Sequence, residues 1–137
     1  MNRRRYVGGP WKTVVYHRYP KLSLVCDVGS HFIIACQTAR GPKVDITEFQ
    51  PLVTEALARA RLSQLAADAG YDSEANHRFA REACRFDLAA HRSRVQVETV
   101  MSMIKRRLEA FIRGRTAWSQ RRELRLKVLT HNVMILF

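Results

Sequence analysis

Two acidic residues, Asp68 and Glu98, stand where a carboxylate could take part in chemistry. Asp68 follows a short apolar run, residues 64–67, that predicts a buried strand, and the carboxyl end of such a strand is where open α/β sheets bind ligands. Glu98 lies in a predicted helix, with Arg94 one turn before it and Lys105 two turns after it on the same stripe. The simpler alternatives are a turn cap for Asp68 and a salt bridge with Arg94 for Glu98.

A pair of such carboxylates suits the hydrolysis or transfer of phosphodiesters. This chemistry needs a metal-bound oxygen nucleophile and a stabilised leaving oxygen, and two divalent ions about 3.5–4 Å apart supply both. Asp and Glu provide the hard oxygen ligands that Mg²⁺ prefers. Because Mg²⁺ keeps several of its waters, three protein carboxylates usually suffice, and Asp68 and Glu98 would supply two of them.

The distribution of charge points to a polyanionic partner. The chain of 137 residues has a formal net charge of +12. Residues 1–21 hold six Lys or Arg and no acid, and residues 91–127 hold eleven against three acids, whereas residues 22–90 hold seven against nine. Each base that neutralises a phosphate releases counterions, so basic flanks of this kind favour nucleic acid. A membrane surface is the less favoured partner, because no basic amphipathic segment carries an aromatic face.

The apolar pattern predicts the elements that position these residues. Residues 1–20 are predicted to form a basic arm or loop, and residues 21–137 one domain. Two apolar runs, residues 22–27 and 31–37, predict a hairpin in which Gly29 is available for a positive φ. Further strands are predicted at residues 64–67 and 86–89, and helices at about residues 45–60, 73–84, 93–113 and 119 to near the end. This order predicts an α/β or α+β fold with a mixed sheet.

Several capping and facing residues are predicted as well. Thr47 with Gln50 fits a capping box at the start of the first helix. Ser93 with Gln96 fits another at the start of the third, which Gly114 ends as a C′ glycine. The apolar face of the third helix is predicted to include Val97, Met101, Ile104, Leu108 and Phe111. The inward face of the last helix is predicted to consist of Leu124, Val128, Leu129, Asn132 and Ile135.

Several stretches resemble the DDE-type insertion-sequence transposases. Residues 65–74, Leu-Ala-Ala-Asp-Ala-Gly-Tyr-Asp-Ser-Glu, are similar to the segment around the second catalytic Asp of that family. The spacing Arg94-x3-Glu98-x6-Lys105 is similar to its Y-x2-R-x3-E-x6-K signature. The run before the first helix and the tail are also similar, at residues 40–45 and 129–132. The resemblance covers nearly the whole chain, from about residue 19 to the end.

The resemblance implies an RNase H-like catalytic domain. The fold class would be α/β, with an incomplete mixed sheet, a hairpin plus a short strand or strands, packed with helices. Asp68 and Glu98 would be the second and third catalytic acids and metal ligands, with Mg²⁺ or Mn²⁺ as cofactor and DNA strand cleavage and transfer as the activity. The partner would be transposon-end DNA, and the residues expected to contact it are Arg94, Lys105, Arg106, Arg107 and His91, the last at the signature Tyr position.

The chain departs from the family at the first catalytic Asp. No Asp-Ser/Ala-Thr-Gly motif precedes Tyr19, and Asp27 aligns with the hairpin turn, so we reject it as a substitute. The strand that carries this acid in the family lies between the hairpin and the Asp68 strand. Residues 13–16 or a second chain could fill that place; otherwise each neighbour exposes an edge. Two functions stay open: a transposase acting on DNA, or a non-catalytic DNA-binding remnant or regulator of an intact transposase.

Other residues predict the setting of the protein. The three cysteines, Cys26, Cys36 and Cys84, fit no metal-ligand spacing and are predicted to be buried thiols in a reducing compartment. The five histidines share no close ligand spacing, so no zinc is expected. No apolar run reaches the roughly 18 residues of a membrane span, and no secretion signal is found, so we expect a cytoplasmic protein. A homo-oligomer is the alternative in which a second chain completes the sheet. Trp118 is predicted to be a core or interface residue, with base stacking as the alternative.

Overall fold

The structure is a computed structural model that describes the backbone of residues 3–5, 12–14, 18–83, 88–90 and 94–137, and the side chains of residues 18–82 and 99–137. Its strands are β1 (Arg3–Arg5), β2 (Lys12–Val14), β3 (Pro20–Cys26), β4 (Ile33–Arg40), β5 (Leu65–Ala67) and β6 (Leu88–Ala90). Its helices are α1 (Phe49–Leu57), α2 (Glu74–Ala83), α3 (Arg94–Leu108) and α4 (Ala117–Leu136), with 3₁₀ turns at Asp45–Glu48 and Ala69–Tyr71.

The described strands form three two-stranded sheets. β3 and β4 pair antiparallel, from Pro20 opposite Arg40 to Cys26 opposite Ile33, and so confirm the predicted hairpin. β5 and β6 pair parallel, and β1 and β2 pair antiparallel. The fold is therefore mixed α/β and compatible with an incomplete RNase H-like fold, as predicted. The strand pairs do not join into one mixed sheet, because among the described strands none bridges β3 and β5.

The first twenty residues contain two strands where a loop or arm was the expectation. β1 lies against β2, with Arg3 opposite Val14 and Arg5 opposite Lys12. The described part of residues 13–16 is thus occupied in pairing with β1 and does not fill the place between β3 and β5. A domain boundary at residue 20 stays a prediction.

The turn of the β3–β4 hairpin is organised by polar side chains. The Asp27 carboxylate accepts hydrogen bonds from the Ser30 amide and hydroxyl, both at 2.7 Å. These bonds, the amide first, hold the pKa of Asp27 below its ordinary value. The positive φ falls on His31, at 62°, and not on Gly29, so that prediction is wrong. The left-handed turn is held from α4, because Nε2 of the buried His131 lies 3.1 Å from the carbonyl oxygen of His31.

The hairpin is covered by helices on both faces. On one face α1 packs Leu52 and Ala56 against Ala35 of β4. On the other face α3 and α4 pack a second buried cluster against the hairpin, consisting of Leu24, Ile33, Val100, Ile104 and Val128. A register shift next to Cys26 changes the alternation, so that Ile33 and Ala35 serve opposite clusters although they stand two residues apart.

α1 also connects the hairpin to β5. Phe49 and Val53 pack with Leu65 of β5 in a third buried cluster. The apolar positions of α1 recur at helical spacing, as predicted. The predicted capping box of Thr47 and Gln50 is wrong, because the chain enters α1 through the 3₁₀ turn and no side chain caps either start.

α3 ends earlier than predicted. Its last residue is Leu108, and Glu109 takes a φ of 67°, so the left-handed residue that follows the helix is a glutamate and not Gly114. Gly114 is needed for a different reason: a Cβ there would lie 2.8 Å from the backbone nitrogen of Gln120. Phe111 lies outside the helix and is 59% exposed, so its predicted place on the apolar face is wrong. The predicted cap at Ser93 lies outside the described residues.

α4 is fixed to β4 by a side-chain amide. The Oδ1 atom of Asn132 accepts a hydrogen bond from the Ile33 amide at 2.9 Å, and its Nδ2 donates to the Ile33 carbonyl at 2.8 Å. Leu124 and Val128 are buried as predicted, whereas Leu129 is 60% exposed, so its inward placement is wrong. Across the described ranges, no helix has both the length and the apolar character needed to cross a membrane.

The two described cysteines are free thiols. Cys26 and Cys36 are each half-buried, less than the full burial predicted, and Cys84 lies outside the described residues. Burial raises the pKa of both thiols above the ordinary value. Neither thiolate is therefore favoured near neutral pH.

Candidate functional site

Asp68 directly follows β5, which confirms its predicted position at the end of a strand. Its side chain is exposed, and its Oδ1 accepts a hydrogen bond from the Ala69 amide at 2.7 Å. The Asp68 carbonyl accepts another from the Tyr71 amide at 2.9 Å. Asp68 therefore caps the 3₁₀ turn Ala69–Tyr71 through one carboxylate oxygen, which fits the simpler alternative for this residue. Its second oxygen has no hydrogen-bond partner among the described residues.

The turn after Asp68 is supported by residues from three elements. A Cβ at Gly70 would lie 3.0 Å from the Asp45 carboxylate, so the small residue lets the two turns meet. The Tyr71 ring packs on the Phe49 ring of α1, with 6.1 Å between centroids. The buried Asn76 amide of α2 donates to the Tyr71 carbonyl at 2.8 Å. Asp68 thus stands on a turn whose backbone is held in place.

Beneath that turn lies an ionic cluster that the sequence analysis did not single out. Glu48 is buried, and its Oε2 accepts a hydrogen bond from the Ser23 hydroxyl at 2.6 Å. Lys21 pairs with Asp45 and with Glu48, the latter at 3.3 Å. Burial alone lowers the pKa of Lys21, but its bond to Asp45 and the charges of Glu48 and Asp45 outweigh burial and leave the pKa raised. The cluster joins β3 to the segment that faces the Asp68 turn.

The sequence does carry a signal for the burial of Glu48. It precedes Leu52 by four residues and Ala56 by eight, so helical spacing places all three on one face. The other two are buried against β4. An acid on the apolar stripe of a helix needs a partner of opposite charge, and Lys21 is that partner.

The second predicted acid lies on α3. The backbone of Arg94–Leu108 is helical, which confirms that Arg94, Glu98 and Lys105 share one helix. The side chains of Arg94 and Glu98, and all of His91, lie outside the described residues, so the approach of Glu98 to Asp68 stays a prediction. The other predicted DNA contacts, Lys105, Arg106 and Arg107, form the last turn of α3 and are exposed.

A groove runs between the edges of β3 and β5. Its volume is about 1140 Å³, and its walls include consecutive residues of both strands, residues 21–26 and 65–67. Phe49 and Val53 of α1 line it, as does Met101 of α3. Asp68 stands at its rim, and position 98 lies one helical turn before Met101. The backbone therefore brings the α3 segment that carries Glu98 to the groove that Asp68 borders.

The donor chemistry at Asp68 suits one hard divalent ion. One oxygen accepts a hydrogen bond from an amide and the other has no partner among the described side chains, and carboxylate oxygens are the ligands that Mg²⁺ and Mn²⁺ prefer. Among residues 18–82 and 99–137, no group of three His, Cys, Asp or Glu side chains is placed to hold a metal. Asp68 thus fits the role of one ligand, and the described side chains supply no complete set.

Comparison with known proteins identifies the family. A family model described as the transposase DDE domain matches residues 8–133, which contain both Asp68 and Glu98. The match begins upstream of residue 19, where the resemblance starts. No curated protein and no solved structure matches the chain. Because the family model spans most of the 137 residues, the chain belongs to the transposase DDE domain family.

Proposed function

We propose that this protein binds DNA in the manner of its transposase family and that residues 1–137 alone do not cut it. The observation that carries DNA binding is a set of eight exposed Lys and Arg side chains at the end of α3, in the following loop and along α4. They are Lys105, Arg106, Arg107, Arg113, Arg115, Arg121, Arg122 and Arg125. Cations at this density release many counterions when they meet a phosphate backbone.

The acids near this basic surface are already engaged. The Glu123 carboxylate accepts hydrogen bonds from the Arg113 and Gly114 amides, and Glu109 pairs with the Arg113 guanidinium at 2.8 Å. These two acids cancel two of the eight positive charges, one of them that of Arg113, so residues 105–125 keep a net charge of +6 (eight Lys or Arg less two Glu). Transposon-end DNA is the partner that the family implies, and a cytoplasmic location and a homo-oligomer belong to the same proposal.

The proposed lack of cleavage rests on the number of acids. When bound, Mg²⁺ or Mn²⁺ would activate the attacking oxygen and stabilise the leaving oxygen. Asp68 and Glu98 are the residues that would hold it, and a third carboxylate is needed to hold two ions against their mutual repulsion. Asp27 is committed to its turn and Asp45 to Lys21. A non-catalytic DNA-binding remnant or regulator is therefore the favoured activity, and an active transposase is the alternative.

Binding is tested by salt titration of a labelled duplex, followed by fluorescence anisotropy. Affinity should fall by orders of magnitude between about 50 and 200 mM salt. The triple variant Lys105→Ala, Arg106→Ala, Arg107→Ala should flatten the slope by about 0.9 for each phosphate that the variant no longer neutralises. The matched control removes three exposed arginines elsewhere, Arg61, Arg78 and Arg81, with the same change in net charge. Equal effects of the two triples would contradict a specific basic surface.

Cleavage is tested with supercoiled and transposon-end DNA in Mg²⁺ or Mn²⁺. We expect neither nicking nor strand joining by residues 1–137. Fusion of an upstream strand that carries an Asp should restore metal-dependent cleavage, and Glu98→Ala in the fusion should abolish it again. Strong cleavage by the unmodified chain that Glu98→Ala removes would overturn the proposal. Asp45, whose turn faces Gly70, would then be the first candidate for the third acid.

A further inference from the structure

We propose that Trp118 is a stacking site for an unpaired base of single-stranded DNA. The inference rests on DNA binding as the proposed function and adds a second mode to it. Trp118 is 65% exposed, so the predicted core position is not the one it occupies. The Arg122 guanidinium lies over its ring, 4.7 Å from the centroid. A largely exposed ring with a cation on one face is a platform for a third planar group.

The platform is rigid, because it is built into the first turn of α4. The Thr116 hydroxyl accepts a hydrogen bond from the Ser119 amide at 3.1 Å, and the Ser119 hydroxyl lies 3.1 Å from the Thr116 amide, which completes a capping box. This box fixes the backbone on both sides of Trp118. A stacking side chain that is already ordered loses less conformational entropy on binding.

A second exposed aromatic ring lies in the loop that is bonded to α4. Phe111 is 59% exposed, with the Arg113 guanidinium 5.6 Å from its centroid. Its loop is tied to α4 at two points: the Lys127 ammonium donates to the Phe111 carbonyl at 2.8 Å, and Glu123 accepts from the Arg113 amide at 2.9 Å. Two aromatic rings, each with an arginine, are therefore carried on one continuous support.

The surroundings favour a nucleic acid strand over a second copy of the chain. Arg115, Arg121 and Arg125 lie close in sequence to Trp118 and are exposed, so a self-association through this surface would bring like charges together. A single strand offers bases to the rings and phosphates to these cations. Base stacking on aromatic rings also tolerates any sequence, because every base has a π face.

The experiment uses the full chain with Trp11→Phe, so that Trp118 is the only source of tryptophan emission. A short oligothymidylate is titrated in, and a duplex of equal length is titrated in parallel. We expect the oligothymidylate to quench Trp118. In fluorescence anisotropy of a labelled oligothymidylate, which needs no tryptophan, Trp118→Ala should weaken binding about tenfold or more, whereas Trp118→Phe should retain most of it. Leu129→Ala, which shortens an equally exposed side chain on the same helix, is the matched control.

The outcomes separate the two proposals. Absence of quenching, or an equal loss of oligothymidylate and duplex affinity in Trp118→Ala, overturns the stacking site while duplex binding stands. Quenching by the single strand without measurable duplex binding supports the stacking site and overturns the duplex proposal. If Trp118→Ala leaves single-strand affinity unchanged but lowers the mass in sedimentation, Trp118 serves contact between copies and the inference is wrong.

Discussion

We expect the contact between α4 and the hairpin to contribute measurably to the free energy of unfolding. Asn132→Leu preserves the approximate size of the side chain but removes both hydrogen bonds to Ile33. Each bond contributes about 1 kcal/mol net, and a buried amide or carbonyl left without a partner costs about 1–3 kcal/mol. Ile33 is only 3% exposed, so water replaces the missing partners poorly. We expect the free energy of unfolding to fall by about 2–4 kcal/mol.

The assay is urea denaturation followed by far-UV circular dichroism. The midpoint should fall while the m-value stays constant, since the surface exposed on unfolding is nearly unchanged. The melting temperature should drop by about 10 °C, given roughly 4 °C per kcal/mol for a chain of this size. Thr130→Leu, at an exposed neighbour on α4, is the control and should change the free energy by less than about 0.5 kcal/mol. The reasoning fails if Asn132→Leu is as stable as this control.

Three further predictions concern other parts of the fold. Gly114→Ala should destabilise the protein more than Gly41→Ala, because the new Cβ meets the backbone of α4 at position 114 but the movable, half-exposed Tyr19 ring at position 41. Thermal melts of the two variants compare the two effects directly. Glu48→Ala should lower the free energy of unfolding by about 2 kcal/mol, since it leaves the Ser23 hydroxyl without its acceptor while Lys21 keeps its ion pair with Asp45. Chemical denaturation measures this loss, with Glu74→Ala at an exposed ion pair as the control. The Arg113 and Gly114 amides hold the pKa of Glu123 below its ordinary value, so the ionised carboxylate stabilises the fold above the ordinary pKa, and this stabilisation is lost as the pH falls through the lowered pKa. The wild type should therefore lose more stability on acidification than Glu123→Gln, and the same loss of stability in both proteins would contradict this.

Local patterns in the sequence predict most elements but not how they face one another. The hairpin, α1 and the strand before Asp68 follow from apolar spacing, and each forms where it is expected. The register shift next to Cys26 does not follow, because strict alternation places Ile33 and Ala35 on one face. The end of α3 is also missed. Glycine is the usual left-handed residue, and nothing in the local sequence shows that Glu109 adopts that conformation instead.

For the candidate site, the sequence predicts which residues belong to it and the elements that carry them, but not their contacts. Asp68 at the end of a strand and Glu98 on a helix follow from pattern and from family resemblance. The support of the turn after Asp68 is less visible: in the cluster beneath it, Lys21 pairs with Asp45 and Glu48, each more than twenty positions away along the chain. Such pairs depend on how β3 lies against the 3₁₀ turn before α1, and a single sequence does not encode that placement in its periodicity.

The salt concentration is expected to affect the self-association of this protein, because β3 and β5 each have one edge without a partner among the described strands. Within the described part of the chain, β3 pairs with β4 and β5 with β6, so the strand edges along the groove have no strand partner there, and such edges are templates for another polypeptide. A net charge of +12 keeps copies apart at low ionic strength, but the screening length shrinks to about 8–10 Å near physiological ionic strength. Under the proposed function, the ions that would release DNA from the protein would also screen the repulsion between its copies. We therefore expect added DNA to raise the solubility of the protein at low salt, and this effect to disappear at high salt.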